Sequence, residues 1–226
     1  MGTNTDPYQP AEREKRITRE ILEILLEHRH PVSLVTKGQL ILRDLDLLAQ
    51  LARHELVSVH VSVTTLDNAL KTKLEPRTAA PAARLKVIRQ LREAGVPTGV
   101  MVAPVIPFIN DAEIEDIIAA SVAAGAQSLA YILLRLPLEV APMFRDWLEQ
   151  HYPLKTERVE NAIRSARGGR LYQSGWGQRM VGSGAVAEMI ASRFQRALKK
   201  HGLENATLPV LRTDLFAVPD PQASLF

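Results

Sequence analysis

The sequence predicts an α/β protein built around a parallel sheet. Four short, apolar and β-branched segments alternate with longer segments in which apolar residues recur every three or four positions. Three of the four short segments are almost continuously apolar, as expected for strands that are covered on both faces. Strands that are joined through helices pair in parallel by right-handed crossovers. A chain of 226 residues, of which 46% are hydrophobic, is long enough for one such domain.

Each strand segment is bounded by turn residues or by the end of a predicted helix. The predicted strands are residues 32–37, 57–64, 97–106 and 128–136. The second strand differs from the others because polar residues alternate along it. Ser58, His60 and Ser62 should therefore lie on one face of the sheet.

Helices are predicted between the strands from their apolar spacing and from their caps. The helix at residues 81–94 begins with Pro81 and stops before Gly95. The helix at residues 111–124 follows Asn110, which is a good N-cap residue. The two earlier helices are predicted at residues 11–28 and 43–53.

The alternation of strands and helices ends after Leu136, and the chain is predicted to have three segments. Residues 1–140 carry the sheet, residues 141–202 form a helical extension, and residues 203–226 form an extended or disordered tail. The helices of the extension are predicted at residues 142–150, 155–166 and 183–201. Between the last two, residues 168–184 are rich in glycine and are predicted to form a long loop.

Composition excludes several kinds of chemistry. Because the chain has no cysteine, it offers no disulfide, no thiolate nucleophile and no cysteine-bound cluster. The six histidines show no metal-site spacing, so no metal site is predicted. The net charge of +3 is compatible with an anionic partner but does not indicate one. Neither a secretory signal nor an apolar run of roughly 18 residues is visible, so we expect a soluble, cytoplasmic protein without a membrane partner.

Polar residues follow the predicted strands at their carboxyl ends, where parallel sheets bind ligands. Lys37 ends the first strand, Ser62 lies near the end of the second, and Arg135 lies near the end of the fourth. The opening segment GTNTD, if it is itself a strand end, adds Asn4 and Asp6. This set suits a ligand that carries a carboxylate and an amine, or sugar hydroxyls. It contains no obvious nucleophile–base pair.

Several alternatives remain open from the residues alone. Four strands fit either an open doubly wound sheet or part of a barrel, since a closed barrel usually has eight. Glu75 and Arg77 flank Pro76 in the segment LEPRT, where a surface loop with a weak ion pair is the plainer interpretation.

Two further functional hypotheses depend on Lys37 and on the loop at residues 168–184. A cluster-free α/β lyase would use Lys37 as its Schiff-base residue, which requires a neutral amine. A non-catalytic module would bind nucleic acid through the loop, whose arginines and aromatic residues interleave. These residues are Arg170, Tyr172, Trp176 and Arg179.

An ordered set of segments resembles a family of radical S-adenosylmethionine (SAM) proteins related to spore photoproduct lyase. The segments are GTNTDPYQPAE, HPVSLVTK, VSVHVSVTT, LEPRTAAPAARLKVIRQLREAGVPTGVMVAPVIP and YILLRLPLEV. The resemblance extends from Gly2 to about His201 and implies a partial (βα) barrel of radical SAM type with a helical C-terminal extension. In that family, three cysteines spaced CxxxCxxC hold a [4Fe–4S] cluster, and reductive cleavage of SAM gives a 5′-deoxyadenosyl radical.

The resemblance also implies roles for the residues at the strand ends. Lys37 matches a lysine placed to meet the SAM carboxylate, and Ser62 matches a further polar contact to SAM. The residues that match the motif near the SAM amino group are Asn4, Thr5 and Asp6. The residues that match family positions without an assigned role, on the substrate side or in the structural rim, are Glu75, Arg77 and Arg135.

The lack of cysteine departs from the family pattern. In the family, GTNTDPYQP closes the second barrel strand and the cluster loop lies upstream, so we expect a chain that lacks the first βα units. Such a chain would be the SAM-binding and substrate-facing part of a radical SAM enzyme, without radical activity alone. SAM and a [4Fe–4S] cluster are the cofactors implied for the parent protein, and nucleic acid is an implied substrate. An uncovered sheet edge predicts low solubility or an oligomer that covers the edge.

Overall fold

The sheet contains four parallel strands in the order β1-β2-β3-β4. The computed structural model describes residues 1–172 and 178–217. The strands are β1 (Val32–Thr36), β2 (Val57–Ser62), β3 (Thr98–Val105) and β4 (Ser128–Leu133). Each strand pairs with the next one along the chain, and the register aligns Leu34 with Val59 and Val61 with Val100. The predicted parallel α/β fold is confirmed, and each strand ends one to three residues earlier than expected.

Six helices accompany the strands in the first half of the chain. They are α1 (Glu12–Lys15), α2 (Ile17–Glu27), α3 (Leu45–Arg53), α4 (Asn68–Leu74), α5 (Pro81–Glu93) and α6 (Ile114–Ala123). Short 3₁₀ turns at Gln39–Asp44 and Asp111–Glu113 precede α3 and α6. The predicted helices at residues 43–53, 81–94 and 111–124 are confirmed, with those 3₁₀ turns leading into the first and the last.

The prediction of one continuous helix at residues 11–28 is wrong. Arg16 adopts a left-handed conformation with φ of 53° and separates α1 from α2. The Glu12 carboxylate then accepts a hydrogen bond from the Thr18 backbone N–H at 3.0 Å. This bond satisfies one of the backbone donors that the start of α2 leaves without a helical partner. The side chain of Glu12 therefore compensates for the break.

The carboxyl-terminal part contains α7 (Val140–His151), α8 (Thr156–Ser165), α9 (Gln178–Val181) and α10 (Ala185–Lys200). Helix α9 lies in the segment that was predicted to be loop. Helix α10 packs on the sheet, and the ring of Phe194 lies 4.9 Å from that of Tyr131 on β4. In contrast, α7 and α8 share a smaller apolar cluster with Ile106 and Leu136. The division into three segments stays a prediction, because α10 shares the main core with the strands.

One face of the sheet carries the main core, and the other is partly open. Leu34, Val59 and Val100 point to the helices and are fully buried. Ser33 on β1 and Ala130 on β4 are exposed on the opposite face. The expectation that the strands are covered on both faces is therefore wrong for this second face. A partial barrel explains the difference, because its interior face is concave and the strands do not close around it.

The outer edge of β1 contacts the start of the chain. The Met1 nitrogen donates to the Ser33 carbonyl at 2.5 Å, and the Val35 N–H donates to the Met1 carbonyl at 3.0 Å. Two such bonds form the repeating pattern of a parallel ladder, with Met1 opposite Leu34. On α2, a stripe of three isoleucines spaced four and three residues apart is 37–55% exposed. It consists of Ile17, Ile21 and Ile24.

Residues 203–217 form no helix or strand and run along the amino ends of β1 and β2. The Arg212 N–H donates to the Glu55 carbonyl at 3.0 Å, and the Ala217 N–H donates to the His28 carbonyl at 2.9 Å. Phe216 packs edge-on against His30 at 5.5 Å. The predicted tail residues 218–226 lie outside the described residues. Among the helices of the described chain, none is long and apolar enough to span a membrane.

Candidate functional site

A cavity of about 440 Å³ lies at the carboxyl ends of the strands. Its volume falls in the range of about 300–1,000 Å³ that is typical of small-molecule sites. The cavity is lined by six residues that sequence analysis proposed: Asn4, Thr5, Asp6, Lys37, Ser62 and Arg135. Apolar side chains of Val35 and Ile132 line the same space. The topology therefore brings residues that are more than one hundred positions apart to one site.

Asp6 attaches the opening segment to the end of β1. Its carboxylate accepts hydrogen bonds from the Thr36 hydroxyl at 2.7 Å, the Lys37 N–H at 2.8 Å and the Tyr8 N–H at 2.9 Å. These three donors occupy much of the acceptor capacity of the carboxylate. Asp6 thus fixes the wall of the cavity. The Asn4 and Thr5 side chains make no hydrogen bond within the described residues and remain available to a ligand.

Lys37 forms an ion pair with Glu75, and Glu75 forms a second ion pair with Arg84. The Glu75 side chain is 8% exposed, so its charge is largely removed from water. Arg84 donates to Glu75 Oε2 at 2.6 Å, to the Ser62 carbonyl at 2.9 Å and to the Ala79 carbonyl at 3.0 Å. Lys37 is thereby held at the cavity by a buried carboxylate that is itself held by helix α5.

The ionisation of Glu75 reflects this pairing. Burial alone would raise the pKa of its carboxyl group, but the charges of Lys37 and Arg84 outweigh burial and lower the pKa below its ordinary value. Glu75 is therefore a charged structural residue. The sequence interpretation of a surface ion pair within LEPRT is wrong, because Glu75 points inward to Lys37 and Arg84 while Arg77 is exposed.

Ser62 lies at the end of β2 and is 4% exposed. Its hydroxyl donates to the Ala103 carbonyl at 3.2 Å, and the Thr64 hydroxyl lies 2.9 Å from the same oxygen. These contacts join the ends of β2 and β3. Ser62 therefore contributes its hydroxyl oxygen, which can still accept a hydrogen bond, to the cavity.

Arg135 reaches the cavity from the end of β4. Its Nη2 atom lies 3.4 Å from the Tyr172 hydroxyl, and its guanidinium carbon lies 5.7 Å from the centre of the Tyr172 ring. In the described part of the chain, Arg135 has no carboxylate within ion-pair distance, and its buried Nε atom has no hydrogen-bond partner. Nearby, Arg167 donates to the backbone carbonyls of Leu133 and Leu134 at 2.8 and 3.1 Å.

Arg77 does not line the main cavity. It borders a neighbouring cavity of about 350 Å³ together with the exposed Arg13. Asp6 and Lys37 line both cavities and form the wall between them. Sequence analysis grouped Arg77 with the other rim residues, but the structure places Arg77 at the neighbouring cavity and not at the main one.

The structure gives evidence on the Schiff-base lyase and less on the nucleic-acid-binding module. The Lys37 amine is engaged in an ion pair with Glu75, which disfavours a Schiff-base role in which the amine attacks a carbonyl. In the loop at residues 168–184, Tyr172 faces Arg135, and the Arg179 carbonyl accepts a hydrogen bond from Arg167. Trp176 lies outside the described residues. Within residues 1–172 and 178–217, no cluster of three metal-ligating side chains is present.

Sequence reasoning missed Arg84, and it named Tyr172 only as part of a nucleic-acid-binding loop and not as a neighbour of Arg135. A signal for Arg84 was available, because it lies on the apolar face of its helix with Val87, Ile88 and Leu91. An arginine on a buried helix face requires a carboxylate or carbonyl partner. No comparable signal exists for Tyr172, since its contact with Arg135 joins a loop to a strand end 37 residues away.

Comparison with known proteins finds relatives that align with most or all of the chain. An uncharacterised protein of Mycobacterium tuberculosis is 33% identical over 228 aligned residues, which cover all of this chain and 63% of that relative. An uncharacterised protein of Methanocaldococcus jannaschii is 29% identical over 161 residues, covering 71% of this chain and 59% of that protein. The chain therefore spans about 63% of the length of the mycobacterial relative.

Solved structures show the same fold. Spore photoproduct lyase complexed with dinucleoside spore photoproduct matches with a TM-score of 0.62 at 17% identity, covering 88% of this chain and 57% of that one. A mutant of that enzyme with bound AdoMet and the dinucleoside matches with a TM-score of 0.61 at 16% identity, covering 88% and 56%. The model of the radical SAM superfamily matches residues 1–120, which is more than half of the sequence. The chain belongs to the radical SAM superfamily.

Proposed function

We propose that this chain is the SAM-binding and substrate-facing part of a radical SAM enzyme related to spore photoproduct lyase. The observation that carries the proposal is the convergence of Asn4, Thr5, Lys37, Ser62 and Arg135 on one cavity at the carboxyl ends of parallel strands. Ligands of α/β sheets bind at this end of the strands. The superfamily match supports SAM as the ligand.

The residues at the cavity fit SAM in size and in chemistry. The ammonium group of Lys37, held by Glu75, suits the SAM carboxylate. The free amide of Asn4 and the hydroxyl of Ser62 suit the amino group and the ribose hydroxyls, while Val35 and Ile132 offer apolar contact. Bound SAM supplies the carbon radical of this superfamily, and the chain's own residues hold and orient the cofactor.

The residues do not fit a [4Fe–4S] cluster. The sequence contains no cysteine, and cysteine thiolates are the usual ligands of such a cluster. We therefore propose that the ligands belong to a segment of the parent protein that this sequence does not include, and that this chain alone lacks radical activity. The ladder between Met1 and β1 and the exposed isoleucines of α2 support a parent barrel with further strands beside β1.

The substrate and the assembly of the parent protein are also proposals. A nucleic acid substrate is supported by the fold shared with a structure that holds a dinucleoside photoproduct. The exposed isoleucine stripe of α2 supports an oligomer, because a partner subunit could bury it. We propose the cytoplasm as the location, a proposal that membership of the radical SAM superfamily supports.

Calorimetric titration with SAM tests the binding proposal. We expect the chain to bind SAM and Lys37→Met to weaken binding by about tenfold to a hundredfold, since a hydrogen bond to a charged group contributes about 1.5–3 kcal/mol. Lys199→Met, an exposed lysine on α10, is the matched control and should bind SAM as the unmodified chain does. Absence of SAM binding, or equal affinity in Lys37→Met, would contradict the proposal.

Anaerobic incubation with iron, sulfide, reductant and SAM tests the proposal of inactivity. We expect neither the absorption of a [4Fe–4S] cluster nor the product 5′-deoxyadenosine. Formation of either by this chain alone would show that it holds a cluster through other ligands.

A further inference from the structure

Two cations lie at opposite ends of the cavity. Lys37 follows β1 and Arg135 follows β4, so three strand spacings separate them. Neighbouring strands lie about 4.8 Å apart, which places the ends of β1 and β4 about 14 Å apart along the sheet. Lys37 is held by Glu75 and Arg135 lies against Tyr172, so different elements hold the two cations. The proposed SAM contact at Lys37 therefore leaves the Arg135 end of the cavity without an assigned ligand.

The two cations also differ in their charge balance. Glu75 compensates the charge of Lys37. Arg135 has no carboxylate partner among the described residues, and the neighbouring groups are the hydroxyl and ring of Tyr172 and the sulfur of Met180 at 4.0 Å. A half-buried arginine without an anion is costly unless a ligand supplies one.

A second positive charge lies close to Arg135. Arg167 is 1% exposed and is fixed by the carbonyls of Leu133 and Leu134 at the end of β4. Burial, and then the nearby charge of Arg135, lower the pKa of the Arg167 guanidinium below its ordinary value. The charge of Arg135 thus acts unfavourably on that of Arg167, and an anion bound at Arg135 would relieve this repulsion.

We propose that Arg135, with Tyr172 beside it, binds an oxyanion of the substrate at the end of the cavity opposite Lys37, a proposal that rests on the proposed function of the cavity. The planar guanidinium presents parallel N–H donors that match the two oxygens of a phosphate or a carboxylate. The Tyr172 hydroxyl adds a third donor at 3.4 Å from Nη2. The substrate is thereby oriented by a charge distant from the one that orients SAM.

The probes are inorganic phosphate and acetate, titrated separately into the chain labelled with ¹⁵N-arginine. Arg135→Lys identifies the Nε–H signal of Arg135 by its disappearance. We expect that signal to shift in a saturable manner with at least one of the two anions. Tighter binding of phosphate would indicate a phosphate ester in the substrate, and tighter binding of acetate would indicate a carboxylate. If neither anion gives a saturable shift at Arg135, the proposal is wrong.

Variants separate binding from folding. Arg89→Met removes an exposed arginine on α5 and should leave anion affinity unchanged. Arg135→Met should abolish saturable anion binding, measured by calorimetry. Arg135→Lys should retain part of this binding, because lysine keeps the positive charge but lacks the parallel N–H donors of the guanidinium. Tyr172→Phe keeps the ring, and the loss of one hydrogen bond should weaken binding by about twofold to tenfold. Equal anion affinity in Arg135→Met and Arg89→Met would overturn the proposal.

The SAM titration distinguishes failure of this proposal from failure of the proposed function. If Lys37→Met and the unmodified chain both fail to bind SAM while phosphate or acetate still binds at Arg135, the SAM assignment fails and the anion site stands. If SAM binds through Lys37 but Arg135→Met binds both anions as the unmodified chain does, only the anion site fails.

Discussion

Arg84 and Glu75 form a buried ion pair in which Arg84 Nη2 lies 2.6 Å from Glu75 Oε2. The other carboxylate oxygen of Glu75 contacts Lys37, so the pair connects helix α5 to the wall of the cavity. The Arg84 and Glu75 side chains are 2% and 8% exposed. Loss of either partner would leave an unpaired charge in the interior. Substitution of Glu75 or Arg84 should therefore change the free energy of unfolding by a measurable amount.

Replacement of Glu75 by Ala should lower the free energy of unfolding by about 3–5 kcal/mol, because Arg84 would remain buried without its carboxylate. Urea unfolding measures the change. The matched control is Glu149→Ala, which removes an exposed ion pair with Arg145 and should cost less than about 1 kcal/mol. Similar losses in the two variants would show that the Arg84–Glu75 pair does not have the expected structural role.

Stability should fall in acid partly through Glu75. Its pKa in the folded chain is lower than the ordinary value of 4.5, because Lys37 and Arg84 outweigh the effect of burial. A lowered pKa means that Glu75 contributes stability fully above about pH 4.5, and the contribution disappears as the pH falls through the folded pKa. The free energies of unfolding of the unmodified chain and Glu75→Gln should therefore converge as the pH falls below 4.5. A constant difference across that range would contradict this assignment.

Replacement of Asp6 by Ala should release the opening segment from β1. Three hydrogen bonds to the carboxylate are lost, two of them from the backbone N–H groups of Tyr8 and Lys37. We expect a loss of stability of about 1–3 kcal/mol and faster proteolysis within residues 1–10. Asp146→Ala, an exposed position on α7, is the control. Equal proteolysis rates in the two variants would mean that Asp6 does not hold this segment.

Replacement of Gly38 by Ala should disturb the same wall without removing a charge. A Cβ atom at Gly38 would lie 2.9 Å from Tyr8 Cβ and 3.0 Å from the Tyr8 carbonyl oxygen. Because backbone atoms cannot rotate away, the segment around Tyr8 must move, at a cost of about 1–3 kcal/mol. SAM affinity and thermal unfolding measure the effect. Gln39→Ala, at the next and exposed position, should change neither quantity, and equal effects would contradict the packing argument.

The sheet was predictable because its signals are local. The β-branched segments that became β1 to β4 stand between helices whose caps and apolar spacing are visible in the sequence. Helix α4 was missed because its seven residues bury only Leu70 and show no apolar period. Its one local signal is Asp67, whose side chain accepts a hydrogen bond from the Ala69 N–H at 2.7 Å.

The site was predictable only in part. The ends of strands are visible in short stretches of sequence, whereas the ion pairs join residues that are far apart in the sequence. Lys37, Ser62 and Arg135 could be placed at one rim once a parallel sheet was expected. Glu75 can pair with Lys37 only because of the path that the chain takes through residues 75–79. The spacing of residues in the sequence does not predict this path. The inward orientation of Glu75 followed only from Arg84, whose position on an apolar helix face had been overlooked.

The chain segment at residues 203–217 has a practical consequence. It lies across the amino ends of β1 and β2, where Arg212 and Ala217 bond to the backbone, whereas the cavity opens at the opposite end of the strands. A fluorophore, an antibody fragment or a chip surface attached near Leu215 would therefore leave ligand access unobstructed. That end of the molecule is therefore a suitable attachment point for binding assays with immobilised protein.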